Sequence, residues 1–185
     1  MPKRSYRFIT QRLKTLSKLS FFVSNPALKV LGAALVLGFS TNSFSADGIA
    51  AVNGVATIKS QNDFANTVSK LKTVLEKKGM KIFATIPHSK GAASVGVKLK
   101  PTTLVVFGNP KAGAPLMACQ QSVGIDLPQK ALITEDDEGM VWLSYNKPSY
   151  LAERHNVEGC EKVLGKMEKA LAMFASTATS AESEY

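Results

Sequence analysis

From residue 55 onward the spacing of apolar positions changes several times, and each change marks an element. Phe64, Val68, Leu71 and Leu75 recur every three or four residues, the period of one helix face. Ser60 stands where an N-cap is expected, with Asp63 in the capping-box position. Lys77, Lys78 and then Gly79 suit the negative end of the dipole and the glycine stop. Residues 80–86 alternate Met80, Ile82, Ala84 and Ile86 with Lys81, Phe83 and Thr85, as a half-buried strand does. Residues 102–107 are an apolar run bounded by turn residues, which predicts a strand buried on both faces. Residues 130–134 and 141–145 flank an acidic turn ending in Gly139 and predict a hairpin. Val141, Leu143 and Tyr145 would share one of its faces, with Trp142 and Ser144 on the other. Helical spacing returns over 158–174, with Val163, Leu164, Met167, Leu171 and Phe174 on one side.

Punctuation supplies the remaining boundaries. Residues 46–54 are small and read as a flexible lead into a first strand at 55–58. Pro87 ends the second strand, and His88 opens a loop or a short helix reaching 92–97. The break Gly108-Asn109-Pro110 closes the apolar run, and Pro115 fits the first position of a helix reaching about Gln121. Residues 148–155 form a short helical turn, and the Ser/Thr/Ala-rich segment 175–185 reads as a disordered tail. Strands interleaved irregularly with helices, with a late hairpin, predict one α+β domain over 55–174. Its architecture is a two-layer sandwich, a mostly antiparallel sheet with two long helices packed on it.

Charge changes the picture less than its total suggests. The formal net charge is +9, yet residues 1–45 carry seven Lys or Arg and no acid, leaving 16 basic against 14 acidic residues beyond them. A body of net +2 gives no support to nucleic-acid binding. The leading segment has the layout of a signal peptide over 1–45: a basic stretch, an apolar run at 27–39, then Ser43-Phe44-Ser45. That run is shorter than the roughly 20 residues a spanning helix needs. The expected location is therefore periplasmic or secreted, with an inner-membrane anchor as the alternative if the leader stays uncleaved. Cys119 and Cys160 form an even pair in a compartment that permits disulfides, and a bridge and two reduced thiols both stay open.

FGNPKAGAPLM at 107–117, IDLP at 125–128 and VWLSYNKPSYLAERH at 141–155 carry a resemblance to the family called domain of unknown function 302. The resemblance spans roughly 55–174 and implies a two-layer α+β fold that assembles as a homodimer. It implies no established activity. The chain departs from the family pattern at Pro87, where an aspartate usually precedes the histidine, and at Ala114, where a hydroxyl residue would cap the following helix.

Candidate chemistry is sparse. His88 and His155 are the only histidines and so the only side chains that ordinarily titrate near neutrality. With Cys119 and Cys160 they have the right chemistry for zinc, but their spacing matches no zinc motif, and no metal site is predicted. Neither a nucleophile elbow nor a Walker loop is present, so no catalytic residue is assigned and no cofactor is identified. Gly108-Asn109-Pro110 is either an anion-binding loop or a sharp strand exit. His88, Asn109, Tyr145, Tyr150, Arg154 and His155 are the candidate ligand-binding residues. The expected function is an exported, non-catalytic module for a small ligand. The alternatives are an interaction or dimerisation module and a histidine-dependent enzyme.

Overall fold

A computed structural model describes residues 50–181, so the leader 1–45 and residues 182–185 lie outside the described residues. Six strands form one antiparallel sheet in the order β1-β2-β6-β5-β4-β3. In chain order they are β1 (Ala50–Val52), β2 (Val55–Lys59), β3 (Lys81–Pro87), β4 (Thr102–Gly108), β5 (Gln129–Glu135) and β6 (Val141–Asn146). Two long helices, α1 (Phe64–Lys77) and α5 (Glu161–Thr179), pack against each other and against the sheet. The shorter helices are α2 (His88–Ser94), α3 (Pro110–Cys119) and α4 (Pro148–His155), with a 3-10 turn at Gln121–Ile125. This is the expected two-layer α+β sandwich.

The sheet buries one face. On β4 the side chains of Thr103, Val105 and Phe107 are buried and their neighbours half-buried, and β5 and β6 repeat the pattern. The expectation that 102–107 is buried on both faces is thus corrected: the long helices α1 and α5 cover the face of Val105 and Phe107, and Leu104 and Val106 on the other face are only half-buried. The main core joins Val105, Phe107, Ile133 and Leu143 of the sheet to Leu71 and Leu75 of α1 and Leu171 and Phe174 of α5. Phe107 and Phe174 meet edge to face with centroids 6.2 Å apart, the arrangement aromatic quadrupoles favour.

Four local expectations change, each for a visible reason. The N-cap of α1 is Asp63, whose carboxylate accepts from Asn66 N; Ser60 bonds the buried Thr67 hydroxyl at 2.7 Å instead. The predicted flexible lead contains β1, which pairs with β2 across Asn53-Gly54. Both of these residues have positive φ, and such turns match the twist of a hairpin. The helix after β4 starts a turn earlier than Pro115, with Asn109 as its cap and Pro110 at its first position. Finally, α5 begins at Glu161 and runs through the supposed tail to Thr179, burying Ala175, Ala178 and Thr179. Its last carbonyls are taken up by Gln61 N, Asn62 Nδ2 and Lys70 Nζ. A helix end supplied with partners does not fray.

Candidate functional site

The exit from β4 builds the most distinctive feature of the domain. Asn109 takes extended backbone angles, its Oδ1 accepts from Lys111 N at 2.9 Å, and its Nδ2 donates to Gly79 O at 3.1 Å. One side chain therefore caps α3 and ties it to the end of α1. This supplies the cap that Ala114 cannot, and it makes Asn109 a structural residue. The first turns of α3 read Lys-Ala-Gly-Ala, and Ala112, Gly113 and Ala114 are small residues that line open space.

Behind α3 a second, smaller core gathers Leu116, Val123, Cys160 and Met167. The structure joins Cys119 to Cys160 in a disulfide, with Cα atoms 6.4 Å apart, which fastens α3 to the start of α5. The two sulfurs bond each other, so the two-histidine, two-cysteine set is not assembled. Among the described residues, no cluster of three or more His, Cys, Asp or Glu could hold a metal ion.

Between the two cores lies a cavity of about 760 Å³, walled by α3, α5 and the ends of β4 and β5. Its floor is apolar, with Met80, Leu127, Met167, Leu171 and Phe174. Gln129 lies on the wall at the start of β5, opposite Phe107 in register and on the core-facing side of the sheet. It is 6% exposed, and its Nε2 is buried with no hydrogen-bond partner. Lys111, Lys162 and Lys166 also line the cavity, and no acidic residue does so among the described residues.

Of the six candidate residues only Asn109 lines this cavity. His88 is exposed at the start of α2. Tyr145 is a core residue; burial, reinforced by the charge of Glu168, raises its phenol above the ordinary value. Tyr150 packs over Gly54, where an added Cβ would overlap its ring, so it fixes the β1–β2 turn. His155 and Arg154 share Asp126, at 2.7 Å from His155 Nε2 and 3.5 Å from Arg154 Nε. His155 Nδ1 meets Ser122 Oγ at 3.0 Å. The imidazole is 8% exposed and links α4 to the 3-10 turn by both nitrogens. Ser122, Asp126 and His155 have the residue types of a nucleophile, an orienting acid and a base. None of them lines the cavity, and the arrangement acts as a clamp between two short elements. The six candidate residues therefore do not line one common cleft.

Sequence reasoning missed Gln129 and the lysines of α5. A glutamine at an inward position of an alternating strand was the available signal, since such positions are ordinarily apolar.

The fold defines the class: a two-layer α+β domain with helices on one face of an antiparallel sheet. Within that class the chain belongs to the family described as Domain of unknown function DUF302, which matches residues 56–174. An uncharacterized conserved DUF302 protein from Bacillus stearothermophilus has the same fold. Its TM-score is 0.63 at 19% identity, over 68% of this chain and 98% of that one. The chain is also 39% identical over 105 residues to Fluoride-specific ion channel FluC 1 of Brucella suis and to FluC 1 of Brucella abortus. That stretch is 57% of this chain and 41% and 39% of those proteins, so the chain spans about two fifths of the length of these curated relatives.

Proposed function

We propose that this chain is an exported, non-catalytic module that binds a small, mainly apolar molecule with at least one oxygen acceptor in the cavity between α3 and α5. Gln129 carries the reading. A buried amide without a partner costs about 1–3 kcal/mol, and folded proteins retain few such groups. An oxygen acceptor on a ligand held in the cavity would relieve it. The volume lies within the roughly 300–1,000 Å³ of small-molecule sites, and apolar walls with a few polar groups are their usual chemistry. Export rests on the leader's composition. Fluoride conduction belongs to relatives of which this chain covers a minor part, and it is not part of the proposal. No helix among the described residues is long and apolar enough to cross a membrane.

Native mass spectrometry of protein taken from its own compartment tests the proposal. The expected result is a mature chain lacking residues 1–45 and carrying a small molecule that Ala170→Phe, set in the cavity wall, displaces. An intact leader would refute cleavage and leave the anchored alternative, and an empty chain stabilised by no member of a broad ligand panel would refute binding.

An interaction surface is the second reading, favoured by Ile86, Val95, Val97 and Leu99. All four stand exposed around α2, Val95 at 75%. Where exposed apolar side chains adjoin one another they mark contact surfaces. Sedimentation of the full chain as a dimer, reverting to monomer on Val95→Lys with Val97→Lys, is the expected result for it; a monomer at all concentrations would refute self-association.

A further inference from the structure

Taking the binding proposal as its footing, we infer that the occupant is a free, single-chain amphiphile with an anionic head, its apolar chain lying in the α3–α5 cavity. Charge carries this step. Every charged side chain that lines the cavity is a lysine. Lys162 and Lys166 are one turn apart on α5 and so share a face, and Lys111 sits in the first turn of α3. None of the three appears in an ion pair among the described residues. The chain beyond residue 45 has a net charge of only +2, so a lining with three lysines and no acid is a local excess and not a reflection of the whole.

The remaining walls set the body of the ligand. Met167, Leu171 and Phe174 are buried core residues that also line the cavity, so its depth is hydrocarbon. A molecule that satisfies both parts has a chain for the floor and a negative oxygen-bearing head for the lysines, with an oxygen acceptor for Gln129. A carboxylate, sulfate or phosphate monoester head meets that requirement.

Titration calorimetry of the full chain with dodecanoate, dodecanol and dodecyltrimethylammonium tests the inference, the two ions below their micellar concentrations and the alcohol below its solubility limit. Dodecanoate is expected to bind at least about tenfold more tightly than the other two, with the advantage fading as salt screens the exposed lysines. Shortening the chain from dodecanoate to decanoate to octanoate should weaken binding about fourfold per methylene lost. Lys162→Gln with Lys166→Gln, two exposed changes that leave the core untouched, should weaken dodecanoate roughly three- to tenfold and leave dodecanol unchanged. Equal affinity for all three heads would overturn the anionic head while the cavity reading survived. Failure of all three to bind would overturn the cavity reading itself. Sedimentation with phosphatidylglycerol vesicles, without uptake of monomeric dodecanoate, would replace the free amphiphile with a membrane surface and end the proposal.

Discussion

Replacing Gln129 by methionine should make the empty protein more stable and the loaded protein harder to obtain. Gln129 faces the core from β5, in register with Phe107, and is almost wholly buried. Its Nε2 has lost water and gained no acceptor. Removing that group relieves a desolvation penalty of about 1–3 kcal/mol. Methionine is unbranched and of similar length, so it fills the same volume with a thioether that needs no hydrogen bond. The net gain expected is roughly 1–2 kcal/mol, read as a higher urea midpoint at unchanged slope. For a domain of this size it also means a rise in Tm of roughly 3–8 °C. The same variant should lose affinity for oxygen-bearing occupants of the cavity, so stability and binding move in opposite directions. A Gln129→Met protein that is less stable than its parent by 1 kcal/mol or more would refute the reasoning. It would mean that Nε2 has a partner in the native protein.

Reduction of Cys119–Cys160, or serine at both positions, should cost about 3–4 kcal/mol in the chain-entropy model, because the bridge closes a separation of 41 residues. Hydrogen exchange should localise the loss to α3 and the 3-10 turn, and equal midpoints with and without reductant would contradict it. His155→Ala should destabilise by about 1–3 kcal/mol through its bonds to Asp126 and Ser122; denaturation showing no change would remove the clamp. Gly54→Ala places a Cβ against Tyr150 at φ +80°, and a loss of roughly 2–4 kcal/mol is expected. Recovery on adding Tyr150→Ala checks the part due to overlap. The Asp136 carboxyl is held below the usual aspartate value chiefly by the Trp142 Nε1 bond at 2.6 Å, helped by Met140 N, Glu138 N and Lys59 and opposed by partial burial. Because the folded value is the lower one, this contribution is complete above about pH 4 and disappears as pH falls through it. Trp142 is the sole tryptophan, so its fluorescence should titrate with a midpoint below 3.8, and a midpoint at or above that value would count against the bond.

Tyr145 and Tyr150 looked like pocket residues because a phenol on or after a strand can face either way in sequence. Their packing on Ala56 and Ala131 across the sheet and on Gly54 decided otherwise. Asn53-Gly54 was a hairpin signal in plain view, obscured by the smallness of the residues before it. Residues 175–179 looked structureless because Ala, Ser and Thr carry little hydrophobic signal. What holds them in a helix is the set of donors at 61–70 that meets the end of α5.

The sequence by itself determined the elements, since periodicity of two or about four residues is a local property of which side chains must leave water. It determined the layer arrangement as well, because a late hairpin and two amphipathic helices have few ways to bury their apolar faces together. Tertiary structure alone decided the cavity. A void exists only where side chains distant in sequence, those of α3, β5 and α5, fail to fill the space between them. The unpaired state of Gln129 and the gathering of three lysines are likewise set by distances in space, which no spacing along the chain encodes.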